Sequence, residues 1–236
     1  GTVMAKDELK RFLPRGLILD LEDRMAAATV KAFQIVRDHA CLDKKRGREL
    51  EGQARFRIME HAFEDVCELY GGQQLGGGMI PNTDLKVFQP FARFGGTGPG
   101  VILGLAAMPE RNKLPVKNRS RLAGVTLNFD LTPRLDFDGT GPKAGDIFVL
   151  FLVARDRERS GKLEEIAIGI IDSTYEQFLF YEPLDKFLAD DADAPETGPL
   201  SPLPSGGTGV VRLKTKVKPF IPPEMPPTVE DEDGTA

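Results

Sequence analysis

Ile147-Phe148-Val149-Leu150-Phe151-Leu152-Val153 is the stretch on which the fold turns. It is almost continuously apolar, which predicts a central strand with both faces covered. Strand-like runs lie on either side. Asp84 to Phe94, Val101 to Met108 and Leu122 to Leu131 precede it; Ile166 to Ile171 and Phe178 to Tyr181 follow. Turn signals separate most of these runs, and the tripeptide Thr-Gly-Pro recurs at Thr97, Thr140 and Thr197. Its flanking strands do not match one another, so it is recurring turn chemistry rather than a repeat. Short connections favour antiparallel neighbours, because a parallel crossover needs a dozen or more residues. Gly95 to Gly100 lacks the Gly-Lys-Ser/Thr ending of a phosphate loop and leads into another strand, so it reads as a hairpin connection.

The first third has the other period. Asp20 is the expected cap of a helix in which Leu21, Met25, Ala28, Ala32, Ile35 and Val36 recur at three- and four-residue steps, stopping near Ala40 to Asp43. Lys44-Lys45-Arg46-Gly47 suits an exposed connection. In the next helix Phe56, Met59, Phe63, Val66 and Tyr70 draw one aromatic-rich core stripe, with Gly71-Gly72 as its stop. The fold class is therefore α+β: N-terminal helices packed on a mostly antiparallel meander sheet of about six strands. One α+β domain is expected over 1–188, with helices to about 72 and the sheet from about 79. A linker then covers 189–209, and 210–236 carries a basic strand and a Pro-rich acidic tail.

The 236 residues carry a net charge of -5, so no global attraction to nucleic acid or anionic membrane is expected. No apolar run approaches a membrane span. Cys41 and Cys67 are too few for a disulfide scaffold and lack metal-ligand spacing, which fits reduced thiols and a cytoplasmic location.

Local charge is more informative. Arg212, Lys214, Lys216 and Lys218 alternate along one strand and share a face. Such a face suits a protein partner, self-association or a polyanion, and lysine on an edge strand also repels unwanted pairing. Lys117, Arg119 and Arg121 lie in a second basic segment with Arg111 and Lys113, without interleaved aromatics for base stacking. Asp136 and Asp138 in the turn before Gly139 are an incomplete cation loop that an Asx turn explains. Glu60, Glu64 and Glu68 recur every four residues, most simply as a solvated helix face. His39 and His61, the two histidines, have no close ligand partner.

Asp84-Leu85-Lys86 places a carboxylate and a lysine on one strand face, which can hold a divalent metal beside a phosphate. The tripeptide resembles the acidic-x-Lys element of restriction-endonuclease-like nucleases. That resemblance implies Mg- or Mn-dependent cleavage, with Asp84 and Lys86 catalytic and Glu51, Glu60 or Glu64 as a further ligand. Gly71 to Thr83 contains no acid where that family supplies one, and the meander departs from its interleaved core. The likeness stops at the tripeptide, and no family is assigned. No complete catalytic set emerges, so the expected function is macromolecule binding, in protein interaction or regulation, with no cofactor. The alternative is nucleic-acid binding through the basic segments, with metal-dependent cleavage at Asp84 and Lys86.

Overall fold

The computed structural model describes residues 2–39, 41–75, 90–125 and 145–189. Contacts divide the chain into two units, Gly1–Ser201 and Pro202–Ala236, and the described residues all belong to the first. Three helices come first: α1 (Thr2–Phe12), α2 (Arg15–His39) and α3 (Lys44–Leu69). Six strands follow, β1 (Gln73–Gln74), β2 (Phe91–Phe94), β3 (Val101–Ala107), β4 (Ile147–Arg155), β5 (Leu163–Ile171) and β6 (Phe178–Pro183). A short helix α4 (Arg119–Val125) lies between β3 and β4, and α5 (Leu184–Leu188) follows β6. The class is α+β, as the two periods in the sequence require.

The sheet order is β1-β2-β3-β4-β5-β6, which puts the apolar run of β4 in the interior. Period two then sends its side chains to two cores. Val149, Phe151 and Val153 join Leu17, Leu21, Met25, Met59, Phe63 and Phe187 under the helices. Phe148, Leu150, Leu152 and Ala154 join Ile102, Val125 and Tyr175 on the opposite face. All of these β4 side chains are at most 3% exposed, so both faces are covered.

Most strand pairs are antiparallel, but β3 and β4 run parallel, from Val101 opposite Ile147 to Ala107 opposite Val153. The mostly antiparallel expectation holds, and this pair is its exception. The long segment between the two strands supplies the length that a parallel crossover needs. Part of it is α4, which takes up Leu122 to Val125 of the strand expected over Leu122 to Leu131; the rest of that stretch lies outside the described residues. Asn118 explains the difference: its Oδ1 accepts the Arg121 N–H at 2.8 Å, an N-terminal cap. Gly124 lets α4 lie on the sheet, since a Cβ there would meet the Phe148 ring at 2.7 Å.

Two helix boundaries also move. Asp20 lies inside α2 rather than capping it, and its carboxylate accepts the Tyr70 hydroxyl at 2.6 Å, tying α2 to the end of α3. Lys44, Lys45 and Arg46 form the first turn of α3, not a connection, because Asp43 caps it through the Arg46 N–H at 2.9 Å. The stripe of α3 is core as expected, with Met59, Phe63 and Val66 buried and Phe56 and Tyr70 packed against them. Its stop is Gly71, at φ +82° in the left-handed region that glycine favours.

Candidate functional site

Four cationic places define what the described residues offer a partner, and they differ in how far each charge is already satisfied. The first is at the amino ends of β3 and β4. Arg93 is 3% exposed and meets the Asp146 carboxylate through Nε at 2.9 Å and a terminal nitrogen at 3.0 Å. Its terminal nitrogens also donate to the carbonyls of Gly95, Gly96 and Gly98, and Asp146 accepts the Gly100 N–H. The glycine-rich turn between β2 and β3 is thus wrapped around an internal cation. Phe94 opposite Val101 makes it a hairpin connection, as the sequence suggests.

The second place is Arg121, at the third residue of α4 and 7% exposed. It donates to the Val116 carbonyl and interacts with the Tyr175 hydroxyl group, while its Nε has no protein partner among the described residues. Burial lowers its pKa, and the Tyr175 interaction opposes that shift. Tyr175 is itself buried, in a left-handed conformation at φ +58°, and donates to the Pro115 carbonyl at 3.0 Å. Asp172 organises the turn that holds it by accepting the Thr174 hydroxyl and the N–H groups of Glu176 and Gln177. Lys117 is exposed, with Nζ 5.8 Å from the Tyr175 ring centroid.

The third place is a pocket of about 320 Å³ where α3 crosses the carboxyl ends of β3 and β4. Arg55, Arg155 and Arg157 line it together with Phe56, Met59 and Leu163. Arg55 is half-buried, and its pKa is lowered by burial first and by the charge of Arg155 second, with Glu51 opposing both. Among the described residues, the side chain of neither Arg55 nor Arg155 has a hydrogen bond or salt bridge. Arg157 donates to the Pro109 carbonyl at 3.0 Å.

The fourth is the tip of the α2–α3 hairpin. No described residue between Phe33 and Ile58 is buried, so the hairpin runs past the core. Ile35 is 39% exposed, Leu42 45% and Leu50 39%. Arg37 pairs with Asp38 and Arg46 with Asp43, each at 2.7 Å. Lys44, Lys45 and Arg48 have no ion-pair partner among the described residues.

The residues singled out in the sequence are therefore distributed as follows. Lys117 and Arg121 come together around Tyr175, but only Lys117 is open to solvent. Arg119 begins α4. Glu64 stands exposed on α3, and its backbone carbonyl accepts from Gln74. No group of three potential metal-ligating side chains occurs among the described residues. Asp84, Lys86, Asp136, Asp138, Arg212, Lys214, Lys216 and Lys218 lie outside the described residues, as do the expected linker and tail. Sequence reasoning missed Arg55, Arg155 and Arg157, whose only local sign is a strand ending in alternate arginines. No helix among the described residues is long and apolar enough to cross a membrane. No family model, curated protein or solved structure matches the chain.

Proposed function

We propose that the chain is a macromolecule-binding protein, acting in protein interaction or regulation rather than catalysis, with the α2–α3 tip as a contact surface. One observation carries this reading: exposed Ile35, Leu42 and Leu50 sit among cations that are not ion-paired at the end of a projecting hairpin. Apolar side chains supply affinity when a partner covers them, and the surrounding charge selects which partner approaches. The chemistry that fits is an acidic protein segment with apolar anchors. Arg212, Lys214, Lys216 and Lys218 would present a second cationic surface of the same kind, to a partner or to a second copy.

The test places a photo-crosslinking residue at Leu42 and, separately, at Thr215, then identifies the protein adducts. Reversing Lys44→Glu with Lys45→Glu should cut the Leu42 adduct at least roughly tenfold, since like charges at an interface cost several kcal/mol. Lys214→Glu with Lys216→Glu should do the same at Thr215. Unchanged yields, or no protein adduct at either position, would sink the reading. The rival is the nucleic-acid reading, and its sharp form is strand cleavage with manganese, abolished by EDTA and lost in Asp84→Asn. That outcome would replace binding with catalysis.

A further inference from the structure

We infer that the pocket between α3 and the carboxyl ends of β3 and β4 binds a phosphate monoester carried on a small apolar body. The placement is the first reason. β3 and β4 are the parallel pair of this sheet, and the carboxyl ends of both contribute to the pocket lining. Ala107, Met108 and Pro109 continue β3 into one wall, Val153 and Arg155 end β4, and Gly52, Arg55 and Phe56 come from α3 above. The pairing of β4 with β5 shifts register between Ala154 and Arg155. Such an irregularity re-aims the side chain beside it.

Charge is the second reason. Three arginines line one pocket, and the side chains of two of them have no hydrogen-bond or ion-pair partner among the described residues. Asp156 does not neutralise them: it accepts the N–H groups of Glu158 and Arg159 and meets Arg159 Nε at 3.4 Å. Among the described residues, Glu51 is the carboxylate that acts on Arg55. The charge left over exceeds one, which favours a phosphate dianion over a carboxylate. Guanidinium matches phosphate by parallel, charge-assisted hydrogen bonds. Burial lowers the pKa of Arg55 most and the charge of Arg155 adds to it, and a bound anion would oppose both.

Shape is the third. About 320 Å³ lies at the small end of ligand sites, and Phe56, Met59, Met108, Val153 and Leu163 supply an apolar wall beside the arginines. A phosphate alone leaves that wall unused, whereas a ring or short chain attached to it fills the space.

Calorimetry at fixed ionic strength tests the inference with phenyl phosphate, inorganic phosphate and benzoate as probes. Phenyl phosphate should bind the intact chain at least roughly tenfold more tightly than either of the others, one probe lacking the body and the other the second charge. Arg155→Gln and Arg55→Gln should each weaken it roughly ten- to a hundredfold, the range for hydrogen bonds to a charged group. Arg159→Gln, outside the pocket, should leave binding unchanged, and circular dichroism would verify that each variant folds. Three results would overturn the inference. They are benzoate binding as tightly as phenyl phosphate, indifference to both Arg155→Gln and Arg55→Gln, and no heat from any probe up to about 10 mM, weaker than any specific site of this construction.

Discussion

The two ends of the parallel pair β3 and β4 each hold arginine, in opposite conditions. At the amino end, Arg93 makes five hydrogen bonds, two to Asp146 and three to the carbonyls of the glycine-rich turn. At the carboxyl end, the side chains of Arg55 and Arg155 make none among the described residues, although Arg55 is half-buried. A charge withdrawn from water is tolerable when its donors are matched and costly when they are not. The matched cation is therefore structure: it shapes a turn and has nothing left to offer. Of the unmatched pair, Arg55 is half-buried under its helix and feels the charge of Arg155, which stays exposed at the end of β4. Arg121 stands between the two, with one terminal nitrogen engaged and Nε without a protein partner among the described residues.

The widest separation is expected from breaking the matched end. Asp146→Ala leaves Arg93 buried without its carboxylate and Gly100 without its acceptor. Loss of one partner from a buried pair costs about 3–5 kcal/mol. Urea unfolding should show this as a lower midpoint at unchanged slope. The double replacement Arg93→Met with Asp146→Leu sharpens the point. It should recover part of the loss, because no charge is stranded, but not all, because the carbonyls of Gly95, Gly96 and Gly98 lose their donor. A single Asp146→Ala variant as stable as the parent would break the comparison at its strongest member.

These environments differ in how much of them is written locally. The interior position of β4 follows from its apolar run, and the core face of α3 from the stripe Phe56 to Tyr70, because burial and helical period leave marks in adjacent residues. Arg93 and Asp146 are far apart in the chain and meet only through the parallel pairing of β3 with β4, which no short pattern announces. The sign of α4 was a single capping asparagine, Asn118, set against a β-like run from Val125 onward. Asp20 looks like a helix start because aspartate caps helices, yet Arg15 to Leu19 already continue the turn and the carboxylate serves Tyr70. Of the basic segment around Lys117, charge was visible and burial was not: Arg121 lies inward because Tyr175, from the turn before β6, covers it. Arg55 reads in sequence as an ordinary solvated helix charge. Only the crossing of α3 over the strand ends sets it beside Arg155.

Arg121 supplies the intermediate test. Arg121→Met removes the bond to Val116 and the contact with Tyr175, but also a guanidinium whose Nε lacks a protein partner. An ordinary hydrogen bond contributes about 1 kcal/mol, and methionine fills the space with a flexible apolar chain. The expected loss is about 1 kcal/mol by urea unfolding, well below that of Asp146→Ala. A loss as large as at Asp146 would mean that the Tyr175 corner is as tightly matched as the Arg93 turn, and the ordering by donor satisfaction would fail.

The smallest effect, and the one with the opposite sign, belongs to the unmatched end. Arg155→Gln removes a charge that acts unfavourably on Arg55 and breaks no hydrogen bond among the described residues. Stability should change by no more than about 0.5 kcal/mol, and the change should be a gain. Repulsion between partly exposed charges is screened over about 10 Å at 0.1 M salt, so the gain should be present at low ionic strength and fade as salt is added. Arg159→Gln is the reference for an exposed arginine that is paired, with Asp156, and should show no such gain. Parallel thermal melts of the three proteins across a salt series would read all of this. A loss above about 1 kcal/mol in Arg155→Gln would exceed the range for a surface position without partners. Arg155 would then be a structural residue like Arg93, and the two ends of the parallel pair would no longer differ in kind.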